Sequence, residues 1–278
     1  MRNDISRHYS HGKLLSRLNA ALIADGVDPE HPTIEALAPY DQFHGRGIDA
    51  TAELAVLMSA RHSDHILDVG SGIGGPARYL ATRFGCRVTG IDLTAEFCEV
   101  ARHLTRLLGL DAQVAFENGD ALHMPFADRT FDGAYSMNVS MNIGDKNAFF
   151  REIHRVLAAG ASLAISEIAK GEGGEPDYPT PWAAGPQTSF LSTAEETCQR
   201  LNDAGFDIQQ VHHTREASLE FGARARAIVE RGEKAPHRSV VLIHGDDIGR
   251  QAMTNSARAV ADGRLDPIEL LARKRERH

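Results

Sequence analysis

A chain of 278 residues with 42% hydrophobic content is long enough to bury a substantial core, as one large domain or two small ones. Its formal charge of −8, with a basic run only at Arg273-Lys274-Arg275-Glu276-Arg277, lacks the broad basic footprint of a nucleic-acid or anionic-membrane binder. No apolar run reaches membrane-spanning length, the N-terminus carries no signal-peptide core, and Cys86, Cys98 and Cys198 are too few and scattered for a disulfide framework or a zinc site, so a cytoplasmic protein with reduced thiols is expected.

In chain order, Leu14, Leu15, Leu18, Ala21 and Leu22 repeat at helical spacing before Gly26, which predicts an amphipathic helix within residues 1–25. Asp28-Pro29-Glu30-His31-Pro32 reads as a turn, Thr33 to Leu37 as a short helix stopped by Pro39, and Ala50 to Met58 as another helix. Between them Tyr40-Asp41-Gln42-Phe43-His44-Gly45-Arg46-Gly47 is short and mixes polar with aromatic residues, which makes it poor core material. Its place just upstream of the first strand predicts a lid, and residues 1–60 together read as an N-terminal helical lid.

From His65 onward strands and helices alternate, the pattern of an α/β, doubly wound, mostly parallel sheet covered on both faces. Strands are predicted at 65–69, 87–91, 112–116, 131–137 and 161–167, and helices at 76–84, from Thr94 to Gly109 and from Asp145 to Leu157. Residues 171–192 form a long Gly- and Pro-rich loop carrying Tyr178, Trp182 and Phe190, and Ser192-Thr193-Ala194-Glu195 reads as a capping box for a helix ending at Gly205. A strand at 206–211, a mostly helical stretch at 214–262 with an ambiguous Val240-Val241-Leu242-Ile243, and a last strand at Ile268 to Ala272 complete the chain. Residues 61–278 thus make one core, with 171–192 and 214–262 as cap insertions.

The most informative stretch is Ile66-Leu67-Asp68-Val69-Gly70-Ser71-Gly72-Ile73-Gly74-Gly75-Pro76, an apolar strand, a glycine-dense turn and a helix start. Such a loop lets a nucleotide-like cofactor approach backbone N–H groups at a helix N-terminus. Gly70, Gly72 and Gly75 satisfy G-x-G-x-x-G with Asp92 about 20 residues on, a spacing that admits an NAD-dependent oxidoreductase. Asp68, two residues before the first glycine, would repel a pyrophosphate and attract an ammonium. That contrast favours S-adenosylmethionine (SAM), whose ribose suits Asp92 and whose cationic methionine tail suits Asp68.

The same stretch resembles the first motif of class I SAM-dependent methyltransferases. Gly90-Ile91-Asp92-Leu93 resembles their acidic second motif, and Asn118-Gly119-Asp120-Ala121-Leu122-His123-Met124-Pro125-Phe126 the loop that pairs an Asp with the adenine amino group. Phe131-Asp132-Gly133-Ala134-Tyr135-Ser136-Met137-Asn138 looks like their fourth strand, and Arg155-Val156-Leu157-Ala158-Ala159-Gly160 like the helix exit before the fifth. The resemblance implies a seven-stranded, Rossmann-like sheet with an antiparallel last strand, SAM as cofactor and S-adenosylhomocysteine as its product. It places the cofactor on Asp68, Gly70, Ser71, Gly72, Asp92, Leu93, Asp120, Ala121 and Asn138, with Gln42 contributing from the lid.

Asp41-Gln42-Phe43-His44-Gly45, Met141-Asn142-Ile143-Gly144-Asp145-Lys146 and Pro181-Trp182-Ala183 are similar to the sarcosine/dimethylglycine N-methyltransferase neighbourhood. A small-molecule acceptor follows from that likeness, with an amine among the options and oxygen and carbon acceptors left open. A non-methylating protein on the same fold also stays open. Ser136-Met137-Asn138-Val139-Ser140-Met141-Asn142 stands where methyltransferases of nucleic-acid amino groups carry a Pro-Pro-aromatic run, so no nucleic-acid partner is expected. Asn138 and Asn142 have no adjacent carboxylate for a Mg²⁺ site, and none of the histidines has ligand spacing, so no metal is expected. His44, in the lid and of a type that titrates near neutral pH, is the candidate base. The sequence sets no oligomeric state.

Overall fold

The computed structural model describes residues 12–276; residues 1–11, with His8 and His11, and 277–278 lie outside them. Its seven strands stand in the order β3-β2-β1-β4-β5-β7-β6, with β1 His65–Val69, β2 Arg87–Asp92, β3 Val114–Asn118, β4 Phe131–Met137, β5 Leu157–Lys170, β6 Phe206–His213 and β7 Leu265–Lys274. The β1–β2, β1–β4, β2–β3 and β4–β5 pairs are parallel, and β7 runs antiparallel between β5 and β6. Chain order reverses direction at β1–β4. Ligands of open α/β sheets sit at that crevice, beyond the carboxyl ends of the strands.

Two apolar layers hold the sheet, and β1 feeds both because successive side chains point to opposite faces. Leu67 and Val69 pack with Phe149, Phe150 and Ile153 of helix α6 (Lys146–Val156), while Ile66 packs with Leu54 of α3 (Ile48–Met58) and Leu80 of α4 (Gly75–Phe84). A third cluster joins α1 (Leu14–Ala24) and α2 (Ile34–Asp41) to Phe97, Val100 and Leu104 of α5 (Ala95–Leu107). Leu242 and Ile243 of α9 (Ser239–His244) enter the same cluster, so the N-terminal helices pack against the insertion between β6 and β7. That insertion also contains α8 (Arg215–Glu230) and α10 (Asp246–Ala261); α7 (Ala194–Asp203) precedes β6. Trp182 and Ala183 of the 171–192 loop pack with Met141, Ala259 and Val260. No helix among the described residues is long and apolar enough to cross a membrane.

The predicted bounds of β1 and β4 match, and the departures elsewhere have local causes. Strand β3 starts two residues later than the pattern suggested because Gln113 N and Val114 N both donate to Leu110 O, prolonging the turn after α5. Strand β5 begins immediately after α6 and runs on to Lys170, because β7 pairs with it as far as Leu265. The capping box falls one residue later: Thr193 Oγ1 accepts from Glu196 N, and Glu196 Oε2 accepts from Thr193 N. Val240 to Ile243 is helical, and Pro39 lies inside α2 instead of stopping it.

The largest correction concerns residues 40–47. Tyr40, Asp41, Gln42, His44 and Arg46 are all buried, contrary to the expectation of poor core material. Their polar groups are satisfied by paired charges and hydrogen bonds, which is what makes burial tolerable.

Candidate cofactor and acceptor site

The loop after β1 is shaped by bonds that need glycine. Gly70 N and Ser71 N donate to Ile91 O at 2.8 and 3.1 Å, which folds the loop back over β2. Gly70, Gly72 and Gly74 take φ values of +79°, +53° and +83°, a region that strains other residues. A Cβ on Gly70 would also sit 2.3 Å from Val139 Cγ2. Asp92, at the end of β2, then pins both neighbouring segments: Oδ2 accepts from Gly72 N and Oδ1 from Thr94 N, each at 2.8 Å.

These elements open on a cavity of about 350 Å³, within the range of small-ligand sites. Asp68, Gly70, Ser71, Gly72, Asp92, Leu93, Asp120, Ala121, Asn138 and His44 all line it. Gln42 does not. Its amide Nε2 donates to Asp41 Oδ1 at 2.8 Å and its Oε1 accepts from Thr51 Oγ1 at 2.6 Å, so it builds the wall from behind. Asn138 holds a positive φ of +54° at the end of β4, a strained backbone of the kind found at functional sites. Asp120 Oδ1 accepts from Leu122 N at 2.9 Å, closing the turn that carries Ala121.

Sequence reasoning did not single out Asp41, Phe43, Thr94, Phe97, Val139 or Ile143, which also line the cavity. Phe43 and Phe97 meet edge to face at 5.1 Å between centroids, one from the segment before α3 and the other from α5. Phe97 had read as an ordinary core position of its helix, and nothing in its spacing marks it as a cavity wall. The mixed polar and aromatic composition of residues 40–47 was the available signal for Asp41 and Phe43.

The electrostatics are one-sided. Asp41, Asp68, Asp92, Asp120 and Asp145 line the cavity, and no Lys or Arg does among the described residues. Burial pushes the Asp68 carboxyl up to about 7, aided by the neighbouring Asp92 charge, and burial pushes Asp92 up to about 6. Asp68 is 2% exposed, and its Oδ2, like Ser71 Oγ, has no hydrogen-bond partner among the described residues. Such orphaned buried oxygens are costly unless a ligand completes them. They fit an ammonium, while a pyrophosphate would face several carboxylates and no cation. Asp92 keeps lone pairs for ribose hydroxyls after accepting its two backbone bonds. The residues present therefore fit SAM.

His44, the candidate base, sits in a closed setting. It is 5% exposed, with Nδ1 3.1 Å from Gly45 O and Nε2 3.0 Å from Thr51 Oγ1. Burial drives its pKa down to about 3, so it stays neutral where it was expected to titrate. A neutral imidazole has one N–H, which it can give to one of these two oxygens, since Thr51 Oγ1 already donates to Gln42 Oε1.

Residues 67–165 match the family model described as a methyltransferase domain. An O-methyltransferase of Pyrenophora dematioidea is 30% identical over 209 residues, which span 74% of this chain and 76% of that one. The chain belongs to the class I SAM-dependent methyltransferases. Among solved structures, phosphoethanolamine N-methyltransferase 2 of Haemonchus contortus in complex with SAM has a TM-score of 0.70 at 21% identity, covering 88% of this chain and 58% of that one. The [4+2]-cyclase SpnF has a TM-score of 0.66 at 24% identity over 93% of this chain and 94% of its own. A Galdieria sulphuraria protein assigned as a sarcosine dimethylglycine methyltransferase has a TM-score of 0.65 at 17% identity, covering 83% of this chain and 85% of that one. These neighbours share the methyltransferase fold, and the oxidoreductase reading of the glycine spacing is set aside.

Proposed function

We propose that this methyltransferase methylates a small organic acceptor that reacts through a neutral lone pair, an amine nitrogen being the best fit. The observation that carries the reading is the cavity wall: Phe43, Phe97, Val139 and Ile143 supply apolar surface, the aspartates supply negative charge, and no cationic side chain lines it among the described residues. A carboxylate- or phosphate-bearing acceptor would find no cationic partner there. Attack by a neutral amine moves positive charge from sulfur to nitrogen, and the acidic lining favours a cation on either side of that transfer.

Bound SAM supplies an activated methyl group for in-line displacement. The protein's part is alignment, which contributes up to about 7–11 kcal/mol when reacting atoms are held in near-attack geometry. Asp68 and Asp92 would fix the two ends of the cofactor, and Phe43 and Phe97 would exclude water from the acceptor side. His44, neutral and hydrogen-bonded, would hold the wall through Thr51 instead of taking a proton. The acceptor would arrive deprotonated, so the pH dependence of turnover would follow the amine's own pKa.

A hydroxyl acceptor is the second reading, favoured by the O-methyltransferase from Pyrenophora dematioidea. Incubating the protein with isotopically methyl-labelled SAM and a host metabolite extract, followed by mass spectrometry, separates the two. Label on an amine nitrogen supports the first reading; label confined to oxygen or carbon overturns it. Cys86, Cys98 and Cys198, all free thiols, support a reducing compartment such as the cytoplasm.

A further inference from the structure

Arg78 is the most buried charged side chain near the site, at 1% exposed, and it does not line the cavity. It sits in the first turns of α4, directly behind the glycine loop. Its Nη1 donates to Ile73 O of that loop at 2.9 Å and lies 3.3 Å from Thr105 Oγ1 of α5. Its Nη2 donates to Asp41 Oδ2 at 2.9 Å, forming an ion pair in which Asp41 is also buried. One planar guanidinium therefore grips two separate pieces of the cavity wall. A lysine ammonium, a point charge on a flexible stem, does not reproduce that fork.

Gly75 supplies the second half of the contact. A Cβ there would lie 2.3 Å from Asp41 O, 2.5 Å from Gln42 Nε2 and 2.6 Å from Asp41 Oδ1. The last glycine of the G-x-G-x-x-G spacing thus serves as the landing point of residues 41–42 on α4. Further along the segment, Phe43 seats over Gly72, whose added Cβ would lie 3.0 Å from Phe43 Cδ2.

We propose that Arg78 is a positioning residue for cofactor binding: with Gly75 it latches Asp41 to the glycine loop, so that loop geometry and the seating of residues 41–44 form one unit. The proposal rests on the reading that these residues close over the cofactor. Its consequence is that SAM affinity depends on a side chain that does not line the cavity. Breaking the grip at Arg78 or blocking the landing at Gly75 should free the same segment and damage the same function.

The test uses the full-length protein with S-adenosylhomocysteine as probe, in four forms: wild type, Arg78→Lys, Gly75→Ala and the double variant. Arg78→Lys keeps the buried positive charge, and Gly75→Ala adds one methyl group, so a failure of one variant to fold leaves the other to read. Calorimetry gives affinity, hydrogen exchange reports peptides covering 37–46, and melting temperature monitors fold integrity. The latch predicts at least tenfold weaker binding in each single variant, faster exchange of 37–46 before ligand is added, and a double variant no more than about threefold worse than the worse single. Affinities within twofold of wild type, with only the melting temperature lowered, overturn it and leave Arg78 a packing residue. Weakened binding with 37–46 still protected overturns it as well, by placing the effect in the glycine loop alone. If wild-type 37–46 shows the same exchange with and without ligand, the closure reading falls, and the latch with it.

Discussion

The two halves of the cavity are built by different physics. The half proposed for the cofactor is made of backbone: the loop after β1 has N–H groups that bond Ile91 O and Asp92 Oδ2, and its geometry follows from contiguous residues. The opposite wall, which carries residues 41–44, is backed by side chains far apart in sequence that do not themselves line the cavity. Arg46 pairs with Glu269 and Glu53, Ser239 Oγ donates to Gln42 O, and Asp25 holds Tyr40, Lys234 and Arg238. Backbone-defined sites fail sharply when one conformation is denied. Side-chain seams spread the loss.

Gly70→Ala should give the largest effect, because it demands both a positive φ and space that Val139 occupies. S-adenosylhomocysteine affinity should fall by more than a hundredfold. Asp92→Ala comes next, since it removes the ribose acceptor and leaves Gly72 N and Thr94 N without their carboxylate. The lost bonds from a charged carboxylate to ribose hydroxyls should cost roughly 1.5–3 kcal/mol of binding, an affinity loss of one to two orders of magnitude, and the two unpaired donors should lower stability besides. Unchanged calorimetric affinity in either variant would mean that the backbone-built half is not the cofactor's.

The seam should respond differently. Burial raises and ion pairing lowers the Asp25 carboxyl, leaving it at about 2, so its contribution to stability is present above its unfolded value near 3.8 and is lost as pH falls through about 2. Asp25→Ala should therefore cost ~1–2 kcal/mol at neutral pH and about 2–8 °C of melting temperature, while S-adenosylhomocysteine affinity changes less than threefold. A tenfold loss of affinity with an unchanged melting temperature would erase the distinction between the halves.

The same division explains what could be read from the sequence. That Asp68, Gly70, Asp92, Asp120 and Asn138 line one cavity was legible because each lies at or near the end of a strand whose apolar run marks its position. The bounds of β1 and β4 were legible for the same reason. Burial of residues 40–47 was not, because Asp41 and Arg46 are compensated by Arg78 and Glu269, and no local pattern announces a partner 37 or 223 residues away. The setting of His44 was hidden in the same manner: its type suggests titration near neutrality, but burial, and less so the neighbouring Arg46 charge, lowers its pKa.

Asp68 sharpens the comparison through pH. Its raised pKa means that the unliganded fold is favoured by the protonated form, a stabilising contribution that is present below about 3.8 and lost as pH rises through about 7. A bound ammonium reverses that preference by pairing with the carboxylate. Affinity for S-adenosylhomocysteine should therefore strengthen as pH rises through about 7, with proton release seen as a buffer-dependent binding enthalpy. Asp68→Asn should weaken binding about tenfold and remove the buffer dependence. Proton uptake, or none, would show that Asp68 does not meet a cation.

His44 should give the smallest effect, and its smallness is the informative part. A general base must offer a lone pair and a pKa near the working pH, and efficiency falls as the two separate. With its pKa held down to about 3, His44 keeps a ring lone pair but lies far below the working pH, and both ring nitrogens are already within reach of Gly45 O and Thr51 Oγ1. His44→Gln keeps a hydrogen-bonding group near Thr51 and removes any titration, so turnover should fall by less than threefold and the pH–rate profile should keep its shape. A tenfold loss of turnover with the acidic limb abolished and cofactor affinity intact would restore His44 as the base. That result would also place a proton-transfer step in the half of the cavity built from side chains, where alignment alone is proposed to act.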